Sequence, residues 1–287
     1  MSKTVHIIAG PTASGKSARS MALARERDGV IINCDSIQIY AALPILSAQP
    51  SAADKEEILH CLYGTLSPDE PCSAGNWREM AVPVIESVLK EGRTPIICGG
   101  TGLYIKTLME GLSPIPDIPQ EVRERAASRQ KELGNPAFHE ALSARDPVMG
   151  ERLHPYNTAR LVRAWEVLEA TGKSLSEWQA LPLEGPPTDW RFEMEVILPE
   201  RDVLYERCNT RFLQMLGGGA LEEVEAFGQA LEEGTYRAGT PVTKTLGFTH
   251  LYDYLQGRKS KEEAITLSQG ETRRYAKRQV TWFRNQI

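Results

Sequence analysis

Long apolar runs are missing from this chain: no stretch of its 287 residues approaches the ~20 consecutive apolar positions that a membrane-spanning helix needs. No membrane association is expected. The first residues run almost directly into an apolar strand, which leaves no room for a signal peptide. Cysteine pairing is missing as well, because Cys34, Cys61, Cys72, Cys98 and Cys208 form an odd set with no Cys-x-x-Cys spacing. That excludes a disulfide framework and predicts that most of them are buried thiols in a reducing cytoplasm. The five histidines show no metal-ligand spacing. Excess positive charge is also lacking, with 33 Lys and Arg against 38 Asp and Glu and a net charge of -5. A uniformly basic nucleic-acid coat is thereby excluded, and only a local basic patch is left as an RNA or DNA footprint. Internal repeats and low-complexity tracts are absent.

What is present starts with 41% hydrophobic residues, enough for a real core in one large domain or one and a half. The chain is organised around Gly10-Pro11-Thr12-Ala13-Ser14-Gly15-Lys16-Ser17, which follows the apolar run Val5-His6-Ile7-Ile8-Ala9. The order is strand, glycine-rich loop, helix start, with the spacing of a P-loop, an ATP-binding motif in many proteins. Glycines let the backbone wrap an anion, and amides at the following helix N-terminus donate to phosphate oxygens. Lys16 adds a point charge and Ser17 is placed to ligate Mg²⁺. Linked phosphates are therefore expected here, whether or not they belong to a nucleotide.

The helix after the loop is expected to reach Arg27 and to be closed by Gly29. Val30–Cys34 reads as a strand of a doubly covered parallel sheet, running into Asp35-Ser36-Ile37-Gln38-Ile39-Tyr40. Strand C-terminal ends gather at the ligand edge of such a sheet, so topology puts Asp35 beside the phosphates. A short helix around residues 53–59 and a longer one over 76–90 lead to a third strand, Thr94–Cys98, and then to Gly99-Gly100-Thr101-Gly102. That glycine turn is expected to bring backbone close to a ligand and to present the Thr101 hydroxyl.

Pro114, Pro116 and Pro119 then break the alternation of strand and helix. Helical spacing runs from Gln120 to about Leu181, and a second proline cluster closes the segment. The pattern predicts an α/β fold: a P-loop NTPase-like parallel sheet core over 1–114 and 191–287, with a helical insertion domain over 115–190. Residues 192–198 read as the returning strand, and helices are expected over 202–216, 222–232, 246–256 and 262–285. In the last of these, Ser260 and Glu263 form a capping box, while Arg273, Lys277 and Arg284 share a stripe flanked by Arg274 and Arg278. Tyr275, Ala276, Trp282 and Phe283 fall on the opposite side. No acid after Glu271 balances the basic stripe.

A P-loop lysine, a carboxylate and a threonine-bearing turn suit phosphoryl transfer, so a small-molecule or nucleotide kinase is one reading. Against it, Ile96-Ile97-Cys98 runs into glycines, where P-loop kinases usually carry a second acid for Mg²⁺. Asp35 equally suits a general base that deprotonates a nucleophile attacking carbon, with pyrophosphate as leaving group.

Together these segments resemble the tRNA dimethylallyltransferases, the tRNA isopentenyltransferases of bacterial type. The resemblance runs through the loop at 10–17, Asp35–Tyr40, Gly99–Tyr104, Arg160-Leu161-Val162-Arg163-Ala164, Arg211-Phe212 with Met215-Leu216, and Thr272–Gln279 leading to Thr281-Trp282-Phe283-Arg284. It covers nearly the whole chain. It implies that dimethylallyl diphosphate is bound through Gly10, Thr12, Ala13, Ser14, Gly15, Lys16, Ser17 and Arg211, with Mg²⁺ as cofactor. Asp35 and Thr101 are implied as catalytic residues, Asp35 as the base that activates the exocyclic amine of the adenosine 3′ to the anticodon and Thr101 as a hydrogen-bonding partner of the bridging oxygen or of the reacting amine. Contact with the tRNA anticodon stem-loop is implied for Asp35, Ser36, Ile37, Gln38, Thr101, Lys277 and Arg278, and for Arg123, Arg160 and Arg163 of the insertion. A monomer is expected. A relative that prenylates free adenine nucleotides shares the loop but needs no insertion. The chain departs from the family pattern at Leu46-Ser47-Ala48-Gln49-Pro50, where a lysine is usual, and at His154-Pro155-Tyr156-Asn157. Asn157 is expected to cap the next helix all the same, and His154 to be a structural partner.

Overall fold

The computed structural model describes residues 3–286. Its centre is one five-stranded sheet in which every pairing is parallel: β1 (Lys3–Ala9), β2 (Gly29–Asn33), β3 (His60–Cys61), β4 (Thr94–Gly99) and β5 (Trp190–Val196), in the order β3-β2-β4-β1-β5. Val5, Ile7, Val30, Ile32, Ile96 and Ile97 are fully buried, as nearly continuous apolar strands must be when helices cover both faces. The two-residue β3 has no sequence signature of its own and is found only through its pairing with Ile31 and Ile32.

The helices of the first half are α1 (Lys16–Arg27), α2 (Ala52–Glu57), α3 (Ala74–Lys90) and α4 (Gly102–Glu110). The expectation that Gly29 closes α1 is corrected. Asp28 takes the left-handed cap at φ 46°, and Gly29 already belongs to β2, where a Cβ would stand 2.5 Å from Ile96 Cδ1. The backbone of α3 continues through Pro83. Sequence reading missed α4, whose first residue Gly102 packs on Trp282 so closely that a Cβ would meet the ring at 2.1 Å.

The chain folds as two compact units, Met1–Met109 with Pro187–Ile287, and Glu110–Pro186. The second unit holds α5 (Gln120–Arg145), broken at Gly134, then α6 (Pro147–Arg152), α7 (Thr158–Thr171) and α8 (Leu175–Gln179). Its own core includes Phe138, Leu142, Leu161 and Trp165. Its two ends pair through an antiparallel bridge, with Glu184 N–H donating to Leu112 O at 2.8 Å. Asn157 occupies the N-cap position of α7 but its side chain makes no capping hydrogen bond, contrary to expectation. His154 is tied locally, its Nδ1 accepting from Tyr156 N–H at 3.2 Å.

In the first unit, α9 (Arg201–Gly217), α10 (Ala220–Glu232), a 3₁₀ turn (Pro241–Lys244), α11 (Phe248–Leu255) and α12 (Lys261–Gln286) follow β5. The expected helix from residue 246 begins only at Phe248, because Gly247 sits at φ 88° and divides it from the turn.

Candidate active site

The loop between β1 and α1 is folded as an anion cradle. Gly15 stands at φ 97°, in the left-handed region that a residue with a Cβ rarely adopts, and it delivers α1 with its first amides unpaired by side chains. Ser14 and Lys16 are buried, and Ser14 Oγ has no hydrogen-bond partner among the described residues. An orphaned buried hydroxyl inside a glycine-rich loop is what a phosphate oxygen would satisfy. Lys16 Nζ meanwhile donates to Pro11 O at 3.2 Å. Burial pushes the Lys16 ammonium below the ordinary lysine range, Arg211 acts in the same direction, and Cys98 and Asp35 oppose it. A bound anion would restore that charge.

From the other side α9 contributes Arg207, whose Nη1 donates to Ser14 O at 3.4 Å, and Arg211 one turn later. Burial likewise lowers Arg211, against Cys208 and Asp35, so the guanidinium stands largely desolvated within the field of the Asp35 carboxylate. Loop and helix enclose a cleft of about 660 Å³ lined by Ser14, Lys16, Ser17, Arg207, Arg211 and Gln214. Arg207 was missed from sequence. Its spacing of four from Arg211 on one helix face is the signal that finds it.

Asp35 and Thr101 come together at the ends of β2 and β4. Cys34 N–H donates to Cys98 O at 2.8 Å, and Thr101 N–H donates to Cys34 O at 3.2 Å. A Cβ on Gly99 would lie 2.0 Å from Cys34 O, so this approach needs glycine. Thr101 Oγ1 accepts from Ser36 N–H at 3.0 Å and donates to Ser36 Oγ at 3.4 Å. Asp35 Oδ1 accepts from Ile37 N–H at 2.9 Å, while fully buried Asn33 accepts the Asp35 N–H at 2.9 Å and donates to its carbonyl at 3.0 Å. The carboxylate is thus oriented through one oxygen, and among the described residues no hydrogen bond reaches the other.

Gln38 lies beside them but donates both amide hydrogens to Ser47 O and Ala48 O, at 2.9 and 2.8 Å, so only its carbonyl oxygen remains for a base edge. Ser36 and Ile37 are partly exposed. Gln49, standing where the family pattern has lysine, turns inward and donates to Tyr40 O at 2.8 Å.

On α12, Lys277, Arg278, Arg274 and Arg284 are exposed, whereas Arg273 is drawn inward to Asn209 Oδ1 at 2.6 Å. The expected stripe is therefore shorter by one cation. The cap at Ser260 is present in one half, with Glu263 N–H donating to Ser260 Oγ at 3.1 Å. Tyr275, read as part of an apolar face, has its phenol pushed up by burial and then by the nearby Asp35 charge. Gln279 was not assigned a role from sequence. It is buried, and a polar residue on the stripe of Ala276 and Phe283 is the sign that it holds something. In the other unit Arg160 is exposed, Arg163 faces Glu166 at 3.5 Å, and Arg123 is partly buried with Nε unpartnered.

Fold and site define a P-loop α/β protein in which a glycine-rich loop with a buried lysine is followed at the same sheet edge by an oriented carboxylate and a threonine hydroxyl. The family model described as IPP transferase matches residues 38–286, and that described as isopentenyl transferase matches residues 3–63. The chain belongs to the IPP transferase family. The tRNA dimethylallyltransferase of Paramagnetospirillum magneticum is 48% identical over 98% of this chain and 88% of its own length. That of Rhodospirillum centenum is 45% identical over 99% and 90%. Among solved structures, the tRNA isopentenylpyrophosphate transferase of Bacillus halodurans superimposes with a TM-score of 0.67 at 33% identity, over 100% of this chain and 88% of that one. A eukaryotic dimethylallyltransferase acting on tRNA gives 0.82 at 27% identity, over 98% and 70%. No described helix is long and apolar enough to cross a membrane.

Proposed function

We propose that this chain transfers a dimethylallyl group from dimethylallyl diphosphate to the exocyclic amine of the adenosine 3′-adjacent to the anticodon in tRNA, releasing diphosphate. One observation carries the reading within the family: the cleft lined by Lys16 and Arg211 is tied to the turn that bears Thr101 by Gln279, which bonds Thr12 N–H on one side and Gly100 O on the other, with Asp35 near enough to act on both cations. Positive groups at the phosphates stabilise the charge that develops on the leaving oxygen. The adenine amine is a weak nucleophile because its lone pair is delocalised into the ring, and the free oxygen of Asp35 takes its proton as the carbon–nitrogen bond forms. The carbon–oxygen bond breaks in the same displacement, and the electron pair leaves with diphosphate into the loop. Thr101, already bonded to Ser36, offers the remaining hydroxyl lone pair to the reacting amine. The base must leave its stack to reach this position, at a cost of a few kcal/mol.

A divalent cation, Mg²⁺ in this reading, neutralises the diphosphate when bound. No group of three or more metal-ligating side chains exists among the described residues. Ser17, which lines the cleft, would supply a hydroxyl ligand to such a cation, and diphosphate oxygens and water would supply the rest. The insertion is assigned to the anticodon stem through Arg123, Arg160 and Arg163, and the exposed basic face of α12 to the RNA backbone. The protein acts as a cytoplasmic monomer in this reading, in keeping with five free cysteines. The test supplies Mg²⁺, radiolabelled dimethylallyl diphosphate and unmodified tRNA. Label should enter the adenosine beside the anticodon. Label on free AMP instead, or γ-phosphate transfer from ATP, would overturn the assignment.

A further inference from the structure

Transfer requires two arms at a fixed separation: the phosphate loop that holds the donor and the Asp35–Thr101 edge that holds the acceptor. One side chain is hydrogen-bonded to both. Gln279 Oε1 accepts from Thr12 N–H at 2.9 Å, and Gln279 Nε2 donates to Gly100 O at 2.9 Å. The carbonyl and amine ends of one amide are thus matched to a donor on one arm and an acceptor on the other. Thr12 lies 267 residues earlier in the chain and Gly100 lies 179 earlier, so neither contact is a local accident of the helix.

The surroundings are shaped to this amide. Gln279 is 6% exposed, so the bonds form out of water, where an unmatched amide would be costly. Gly100 leaves room for it, since a Cβ there would stand 2.3 Å from Gln279 Nε2 and 3.0 Å from Gly10 O. Gly10 belongs to the phosphate loop, so loop and turn approach each other closely beside the amide. Thr12 donates its N–H to Gln279, so this residue of the cradle is held by α12 and does not need a phosphate oxygen to fix it. Lys277 and Arg278, on the same turn of the helix, face outward.

We infer that Gln279 is a positioning residue: it clamps the phosphate loop to the Thr101 turn and thereby fixes the approach of the acceptor amine to the donor carbon. The inference rests on the proposed prenyl transfer. Displacement at carbon depends steeply on the separation and alignment of the reacting atoms, and an error of about 1 Å costs on the order of 100-fold in rate. Gln279 itself touches neither substrate in this role. It acts through Thr12 and Gly100.

The experiment compares wild type with Gln279→Met, which keeps length but loses both bonds, and Gln279→Asn, which keeps both groups on a shorter arm. Steady-state transfer to tRNA, thermal melting and amide exchange at Thr12 are measured for each. In Gln279→Met, kcat should fall about 100-fold, with the KM for prenyl diphosphate and for tRNA each changed by less than about threefold. Thr12 exchange should rise by about tenfold or more, and Gln279→Asn should fall between the two on both readouts. Unchanged kcat, or kcat and KM that worsen together with a fall in Tm, would overturn the inference. If the wild type transfers no prenyl group, the proposed function fails, and the exchange data still judge the clamp: unchanged Thr12 protection in Gln279→Met removes it.

Discussion

At the scale of residues, Asp35 serves two ends that its two oxygens separate. Oδ1 shapes the turn by accepting from Ile37 N–H, and in the proposed function the other oxygen takes the proton of the amine. Asp35→Asn keeps the first and removes the second. It should melt within about 0.5 kcal/mol of wild type, yet lose about 10²–10⁴ in kcat; a variant with normal turnover would exclude Asp35 as the base. Lys16 gives a pH signature. Its folded-state pKa lies below the ordinary 10.5, so between those values the unfolded chain binds more protons than the folded one. Stability from this group therefore rises with pH across that window. Relative to Lys16→Met, wild-type Tm should climb as the pH approaches 10.5, and saturating pyrophosphate should flatten the difference by restoring the charge. Parallel melting curves at all pH values, with and without pyrophosphate, would contradict this. The loop, Asp35 and Thr101 were legible from spacing, because each follows an apolar strand at the same sheet edge. Arg207 and Gln279 were not assigned, because their partners lie far away in sequence.

At the scale of elements, the segment from Leu43 to Pro50 is irregular in sequence yet held in place. Leu43 and Ala48 both adopt positive φ, at 51° and 58°. The N-terminal turn of α10 reaches across to it: Glu223 accepts from Ile45 N–H at 2.9 Å and from Leu46 N–H at 3.1 Å. Ser47 O and Ala48 O in turn receive the Gln38 amide. Glu223→Ala strands those two amides and should cost about 1–3 kcal/mol, with faster proteolysis within residues 43–50. Equal cleavage rates would show that the loop holds itself. The basic face of α12 was legible as a stripe, but which cations stay outside was not. Periodicity places Arg273 beside Arg274, and only Asn209 on α9 explains why one turns in and the other out.

At the scale of the whole molecule, two units with separate cores divide the work that the proposed function assigns: chemistry in the sheet unit, RNA stem contact in the helical one. Arg160→Ala should therefore weaken tRNA binding and reduce the slope of log affinity against log salt by about one. Pyrophosphate binding should stay unchanged. A loss of pyrophosphate affinity would place Arg160 in the wrong half of that division. The sequence by itself determined the parallel sheet, the phosphate loop and the helical insertion, because each is written in local periodicity, glycine spacing and proline punctuation. Tertiary structure alone decided the two-residue β3, the left-handed cap at Asp28, the inward turn of Arg273 and the amide of Gln279 between Thr12 and Gly100. The physical reason is the same in each case. A hydrogen bond or a close approach between segments far apart in the chain leaves no local pattern, since either partner alone is compatible with many surroundings and only the folded chain brings the two together.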